Sequence, residues 1–222
     1  MKRIFFLLLL FFSFLLQGCF DIIEQIALKS NGSGSFELIV NLSRSRTQLN
    51  SMMKMKTVNG HKVPSKQEVE DAVLKFKQKL EKDPGITLVK TELDFKNYIG
   101  KLNFNFSEIG MLNAAMQKMG ENVKDQREGF KEVFQYNPAT NTLSRVNKFS
   151  LDEAYRKMSI ADREIFATSS YTCIYRFDDE VRSVRNVNSK ISANKKAVML
   201  KSSALDLIKG RKTIDNQITL QK

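Results

Sequence analysis

Two segments of alternating polarity near the start of the chain limit the class of fold that it can adopt. Side chains two residues apart share one face of a strand, and such faces are Ile22, Glu24, Ile26, Leu28 and then Phe36, Leu38, Val40, Leu42. The stretch Asn31-Gly32-Ser33-Gly34 between them is a turn signal. The pattern predicts an antiparallel hairpin with one face against a core.

Further strand pairs and helices are predicted along the rest of the chain. Helical spacing predicts helices over 43–58, 65–82, 107–119, 150–165 and 204–209. Ser65 and Glu68 form a capping box, as do Ser150 and Glu153, while Ser107 is expected to cap the third helix. Strands are predicted over 86–95, 98–106, 130–136, 142–149, 168–177, 181–187, 197–201 and 213–220. Helices between hairpins predict an α+β fold with a mainly antiparallel sheet.

The domain organisation follows from the same pass along the chain. Residues 1–18 are assigned to a removed leader, and residues 19–222 to a single α+β ectodomain. Proline, glycine and serine do not gather into a long linker, so the polar stretch 120–129 is the best seam if two units exist.

The first eighteen residues have the composition of an export signal. Lys2 and Arg3 precede Ile4 to Leu16, which is apolar except for Ser13. A positive start, an apolar run of about 7–15 residues and a small residue before the cut describe a secretory signal peptide. The run is short for a spanning helix, which needs about 20 apolar residues. No later stretch approaches that length, so no transmembrane segment is expected in the mature chain.

The quartet Leu16-Gln17-Gly18-Cys19 resembles the lipobox of bacterial lipoproteins. The resemblance implies that Cys19 receives a diacylglyceryl group on sulfur and acyl chains such as palmitate. It also implies that Leu16 and Gly18 are the recognition residues for signal peptidase, which cuts before Cys19. Two alternatives stay open: an ordinary signal peptide with an incidental cysteine, and an uncut N-terminal anchor.

The residues after the cysteine bear on location. In enteric lipoproteins an Asp directly after the cysteine favours retention in the inner membrane, but here Phe20 follows and Asp21 comes one later. The resemblance therefore implies an outer-membrane anchor facing the periplasm, with the inner membrane and the cell surface left open.

A second resemblance covers two short stretches of the body. The opening strand, Asn31-Gly32-Ser33-Gly34, strand, and the closing Asp206-Leu207-Ile208-Lys209-Gly210 followed by a strand are similar to the LppM-type domain of bacterial lipoproteins. That likeness implies a domain of helices and strands with a role in the cell envelope.

The formal net charge of +12 favours anionic partners. Lipid head groups and acidic glycans are the candidates, and an envelope protein is a further candidate partner. Nucleic acid is discounted because an exported protein rarely meets it. The alternative is that the charge is spread over solvated faces and serves solubility.

Candidate catalytic or metal-binding residues are few. His61, the only histidine, lies in a Gly/Pro loop and is interpreted as solvated. Cys173, the only cysteine besides Cys19, is interpreted as an inert core thiol without a disulfide partner. Asp178-Asp179-Glu180 lacks the spaced ligands of a calcium loop and is interpreted as a turn. No catalytic, cofactor-binding or metal-binding residue is assigned, and covalent lipid on Cys19 is the only expected attached group.

Three functions remain compatible with the sequence. The first is a non-enzymatic, membrane-anchored envelope lipoprotein that binds or scaffolds another component. The second is a carrier or sensor of a lipid or apolar ligand, and the third is an envelope-polymer hydrolase with two undetected carboxylates. The methionines are interpreted as core filler rather than a binding surface; they are Met52, Met53, Met55, Met111, Met116 and Met119.

Overall fold

The predicted first hairpin forms the centre of the main sheet. A computed structural model describes residues 20–121, 130, 132–147 and 151–221. Strands β1 (Asp21–Leu28) and β2 (Gly34–Asn41) pair antiparallel. In their turn Gly32 has a φ of +84°, and the Asn31 Oδ1 accepts hydrogen bonds from the backbone N–H and the hydroxyl of Ser33. The turn residues therefore fix the register that the alternation requires.

The remaining elements follow the predicted order, except that the short strands β3, β4 and β11 were not predicted. The helices of the described residues are α1 (Arg46–Met52), α2 (Lys66–Leu80), α3 (Ile109–Gly120), α4 (Asp152–Lys157), α5 (Ile160–Glu164) and α6 (Ala204–Ile208). The later strands are β3 (Thr57–Val58), β4 (His61–Lys62), β5 (Ile86–Asp94), β6 (Ile99–Phe106), β7 (Phe134–Asn137), β8 (Thr142–Arg145), β9 (Ser170–Phe177), β10 (Val181–Val184), β11 (Lys190–Ile191), β12 (Ala197–Ser203) and β13 (Asn216–Leu220).

These strands form a large sheet of seven strands and a small sheet of four. The large sheet has the order β11-β12-β9-β1-β2-β6-β5, the small sheet has the order β10-β13-β8-β7, and β3 pairs only with β4. Among the described strands, β1 and β9 form the one parallel pair. The α+β prediction with a mainly antiparallel sheet is confirmed.

The core lies between the two sheets and beneath α3. Phe36 and Phe104 of the large sheet have ring centroids 5.1 Å apart, and Phe134 of the small sheet meets Tyr175 of the large one edge-on. The side chain of Asn113 in α3 accepts from the Phe134 N–H and donates to its carbonyl oxygen. This amide ties the helix to the edge strand β7 and satisfies backbone groups that the sheet leaves unpaired.

The predicted helix over 43–58 is too long. A short 3₁₀ turn at Ser43–Ser45 leads into α1, which ends at Met52. Thr57 and Val58 then pair with Lys62 and His61, through a two-residue turn in which Asn59 and Gly60 have φ of +49° and +80°. Asn-Gly favours this mirror-image turn strongly, so a small hairpin replaces both the end of the predicted helix and the start of the predicted loop.

Capping also departs from the prediction in two places. The box at Ser65 and Glu68 is present, but Glu108 rather than Ser107 precedes α3, and its side chain makes no capping hydrogen bond. Ser150 lies outside the described residues, and α4 begins after Leu151 without a side-chain cap. The helix predicted to run to residue 165 breaks at Met158, where Ser159 caps α5 by accepting from the Asp162 N–H.

Several predictions fall outside the described residues. The leader 1–18, with its recognition residues Leu16 and Gly18, and the lipid-bearing Cys19 lie there, as does most of the seam proposed near 120–129. Within the described ranges, every helix is too short or too polar to span a bilayer.

Gly34 marks the tightest approach in the large sheet. A Cβ at this position would lie 2.2 Å from the Ala27 carbonyl oxygen and 2.7 Å from the Phe106 ring. At Gly100, in the neighbouring strand, the nearest atom would be 3.6 Å away, on Leu93. We expect Gly34→Ala to lower the free energy of unfolding by about 1–3 kcal/mol through overpacking. Gly100→Ala should change it by less than about 1 kcal/mol. Urea unfolding followed by circular dichroism measures both, and equal effects would contradict the prediction.

Candidate functional site

A buried ion pair joins the two sheets. Glu24 of β1 is 0% exposed and Arg145 of β8 is 3% exposed. Arg145 donates from Nη2 to the Glu24 Oε2 over 3.1 Å and from Nε to Oε1 over 3.4 Å. Tyr171 and Tyr175 of β9 donate their hydroxyls to the same carboxylate over 2.8 and 3.2 Å. The Arg145 guanidinium also stacks over the Phe134 ring, 5.3 Å from its centroid. The carboxylate therefore receives hydrogen bonds on both oxygens and is neutralised inside the core.

The titratable groups around the Glu24 carboxylate have raised pKa values. Burial, the largest single influence, disfavours the charged guanidinium, but the Glu24 carboxylate together with Tyr175, Tyr171 and Cys173 raises the pKa of Arg145 well above its ordinary value. Burial, followed by the negative charge of Glu24, raises the pKa of Tyr171 and of the Cys173 thiol. The pKa of Tyr175 is raised chiefly by burial. A reactive thiol needs the opposite, a lowered pKa and partial exposure, so the prediction that Cys173 is a buried, inert thiol is confirmed.

The alternation grouped Glu24 with Ile22, Ile26 and Leu28 on one face of its strand, but it neither assigned that face to the core nor gave Glu24 a partner. The signal was a carboxylate in line with Ile22, Ile26 and Leu28, since an unpaired carboxylate is too costly to bury. Its counter-charge, Arg145, is 121 residues further along the chain. No local pattern could have connected the two.

The other candidate residues are not brought together into a reaction centre. The His61 side chain is 80% exposed and lies 4.0 Å from Asp162. Asp178, Asp179 and Glu180 form the bend between β9 and β10, with Asn141 donating to Asp179 and Lys195 beside Glu180. Among residues that the structure describes, histidine, cysteine and acidic side chains form no group of three that could hold a metal ion.

The methionines divide into two sets. Met116 is buried, and Met111 and Met119 pack against the core, so the interpretation as core filler is confirmed for these three. Met55, between α1 and β3, is exposed.

A surface cleft of about 400 Å³ opens at one end of the large sheet. It lies where β1, β6 and β9 end and β2 begins, and we call this end of the sheet the far end. Leu28, Phe106 and Phe177 contribute apolar surface, while Lys29, Arg176 and Asp178 are charged groups of its lining. The size falls in the range of small-ligand sites, and the mixed lining suits a ligand with both polar and apolar parts.

The opposite end of the large sheet is where the chain enters the fold, and we call it the entry end. It comprises the starts of β1, β6 and β9 and the ends of β2 and β12. Phe20 is held there: its N–H donates to the Ser169 hydroxyl over 3.1 Å, and its carbonyl accepts from the Ser170 N–H over 3.0 Å. Its ring meets Phe166 edge-on with centroids 5.6 Å apart.

Aromatic rings and cations alternate at the entry end. Phe166 also meets Tyr155 edge-on at 5.9 Å. Arg163 and Lys209 lie over the Tyr155 ring, 5.5 and 5.8 Å from its centroid. No local sequence pattern reveals this cluster. Its members come from the residue before β1, from α4, from α5 and the residues after it, and from the residue after α6.

Comparisons with known proteins assign no family. No family model matches the chain, and no curated protein matches it. Among solved structures, the chain is similar to the folded domain of the LppM protein of Mycobacterium tuberculosis, with a TM-score of 0.45, 14% identity and 93% of each chain covered. Structural similarity at this level assigns no function to the chain.

The buried pair generates a stability prediction. Arg145→Met leaves Glu24 buried without a counter-charge, and we expect a loss of about 3–5 kcal/mol in the free energy of unfolding. The double variant Glu24→Leu/Arg145→Met should lose less than Arg145→Met alone, because it removes both charges. Lys101→Met, which breaks an exposed pair with Glu92, serves as the control and should have little effect. Urea unfolding measures all three, and a double variant that loses as much stability as Arg145→Met, or more, would contradict the coupling.

The raised pKa values predict a loss of stability in alkali. Cys173 keeps its proton in the folded state above the ordinary thiol pKa of 9.0, and Tyr171 and Tyr175 keep theirs above the ordinary tyrosine pKa of 10.0, while the unfolded chain releases them. Stability therefore falls as pH rises from about 9, by about 1.4 kcal/mol per pH unit for each such group once its unfolded form has ionised. Cys173→Ser removes one titrating group, so the slope between about pH 9.5 and 11 should become shallower by about this amount. An unchanged slope in urea unfolding against pH would contradict the assignment.

Proposed function

We propose that this chain is a lipid-anchored protein of the bacterial cell envelope that binds or scaffolds another component and has no catalytic activity. The anchor is a diacylglyceryl group on Cys19, placed there after recognition of Leu16 and Gly18. The protein faces the periplasm from the outer membrane. Its partners are the membrane itself, through the lipid, and an anionic lipid, a glycan or an envelope protein contacted by its cationic surface.

The observation that carries this proposal is the way in which Phe20 is held. The residue after Cys19 is held at the end of the sheet by two hydrogen bonds, one from its N–H to the Ser169 hydroxyl and one from the Ser170 N–H to its carbonyl oxygen. A cut between Gly18 and Cys19 would leave every described strand and helix whole. The other cysteine, Cys173, is buried, which makes Cys19 the better candidate for modification.

The contacts of Asp21 support the outer-membrane assignment. Its carboxylate accepts from the Ser170 hydroxyl over 2.5 Å and lies 3.9 Å from Arg44. An acidic residue engaged in this way is less available as a retention signal, and it already stands one position later than the usual one.

The absence of catalysis is proposed from the state of the candidate groups. Glu24 is neutralised by Arg145, the Cys173 thiol is buried with a raised pKa, and His61 is exposed on a small hairpin. General acid–base and nucleophilic catalysis need such groups in hydrogen-bonding reach of a substrate. Binding makes no such demand.

The far-end cleft favours a second function, the carriage or sensing of a small amphipathic ligand such as a lipid. Its volume and its mixed lining by Phe106, Phe177, Lys29 and Arg176 support this candidate. Native mass spectrometry of the protein released from membranes would show a retained ligand if this function is correct, and Arg176→Glu, at an exposed residue of the lining, should weaken that ligand peak. A protein that is always empty favours the binding or scaffolding role.

The anchor is tested with matched cysteine variants in a bacterial host. Cys19→Ala should lose all incorporation of radiolabelled palmitate and should keep the leader, so that the chain stays larger. Cys173→Ser, the control, should be labelled and processed normally because its thiol is buried. Label in Cys19→Ala, or none in the unaltered chain, would overturn the proposed function.

A further inference from the structure

We propose that the entry end of the domain rests directly on an anionic phospholipid leaflet, with Ile160 inserted among the head groups. The inference rests on the proposed lipid anchor at Cys19 and specifies the surface that meets the membrane. The contact surface consists of three described parts: the aromatic cluster around Phe20, the exposed start of α5, and the cationic segment 42–65.

The connection between the proposed lipid on Cys19 and the folded domain is short. Phe20 is fixed by Ser169, Ser170 and Phe166, and Cys19 directly precedes it. One residue spans at most about 3.6 Å. With acyl chains on Cys19, the entry end therefore cannot move more than a few ångströms away from the lipid head groups.

The second step is the apolar surface exposed at this end. Ile160, the first residue of α5, is 78% exposed, and Leu151, just before α4, is 42% exposed. Tyr155 of α4 contacts the Phe166 ring, and Phe166 in turn contacts Phe20. Exposed aliphatic side chains beside aromatic rings and cations are typical of surfaces that lie in a membrane interface.

The third step is the charge of the adjoining segment. Residues 42–65 contain no Asp or Glu, and their cationic residues are Arg44, Arg46, Lys54, Lys56 and Lys62. The segment follows β2 at the entry end, and its hairpin touches α5, because Asn59 donates to Asp162 over 3.0 Å. Each Lys or Arg close to an anionic leaflet contributes about 1 kcal/mol. Two of these cations have acidic neighbours, Arg44 with Asp21 and Lys62 with Glu68, so the remaining three carry most of the attraction.

Acidic residues at the entry end do not cancel this charge. Asp152 and Glu153 of α4 are paired with Arg156 and Lys157 within the helix. Asp162 accepts hydrogen bonds from the neutral Asn59 and Ser159 side chains, so its charge offsets one of the three remaining cations. The far end, by contrast, has Asp178, Asp179 and Glu180 in succession. Lys29 and Arg176 also lie at the far end, but they adjoin this acidic run, whereas segment 42–65 has no acidic residue, so the charge favours the entry end as the one that faces phosphate groups.

The chain contains no tryptophan, so a single introduced indole reports on one position. Ile160→Trp places it at the entry end. Leu88→Trp is the matched control: Leu88 is 67% exposed and lies in β5 beside Thr87, whose partner Asn105 belongs to the far end. Each full-length, lipidated variant is reconstituted into vesicles of phosphatidylglycerol and phosphatidylethanolamine with brominated acyl chains, which quench nearby indoles.

We expect the emission of Ile160→Trp to be quenched several-fold and shifted to the blue, and that of Leu88→Trp to be unchanged. Adding Lys54→Glu and Lys56→Glu to Ile160→Trp should relieve most of the quenching, because the attraction becomes repulsion. Circular dichroism confirms that each variant keeps its fold.

The outcomes separate this inference from the anchor on which it rests. Intact mass reports whether Cys19 carries lipid in each preparation. A lipidated chain with an unquenched indole at 160, or with equal quenching at 160 and 88, overturns the docking surface and leaves the anchor standing. A chain without lipid overturns the proposed function and the docking surface with it.

Discussion

The contact between Glu24 and Arg145 is the interaction on which the arrangement of the two sheets depends. Each charge is buried, and each would be costly without the other. The two hydroxyls of Tyr171 and Tyr175 complete the hydrogen bonding of the carboxylate. A packing of β1 against β8 that separated Glu24 from Arg145 would leave a buried charge uncompensated, so the pair disfavours such alternatives. Burial and the negative charge of Glu24 raise the pKa of the neighbouring Cys173 thiol. The thiol beside the ion pair therefore stays protonated and is a poor nucleophile.

The parallel pairing of β1 with β9 decides where the surface features lie. It places the first strand of the domain beside a strand about 150 residues later, with Asp21 opposite Ser170 and Leu28 opposite Phe177. All strands of the large sheet except the two-residue β11 then contribute either their first or their last residues to the entry end. The helices α1, α5 and α6 adjoin those residues in sequence, which collects aromatic rings, cations and exposed aliphatic side chains around Phe20. The cleft and the acidic bend fall at the other end for the same reason.

Because the entry end and the far end differ in composition, the orientation of the anchored domain determines which surface meets the bilayer. An anchored domain with a long tether samples many orientations, and its surface composition then matters little. Here Phe20 is bonded to Ser169 and Ser170, so the proposed lipid would fix which end faces the bilayer. The far end, with the cleft lined by Lys29 and Arg176, would then be presented to the periplasm, where a partner or ligand is accessible.

The sequence by itself determined the elements that depend on neighbouring residues: the first hairpin, the capping box of α2, the strand pair β5–β6 and the placement of Cys173 on a core face. Alternation, capping and turn formation act over a few residues, and the pattern records them directly. It erred at residues 43–58, where the Asn59-Gly60 turn prevailed over helical spacing, and at Met158, where Ser159 starts a new helix. Only the tertiary structure decided that Glu24 meets Arg145, that β1 pairs with β9, and that Phe20, Tyr155 and Lys209 share one end of the sheet. Those contacts join residues far apart along the chain, and their partners are selected by burial and charge neutralisation across the whole core, which no local pattern contains.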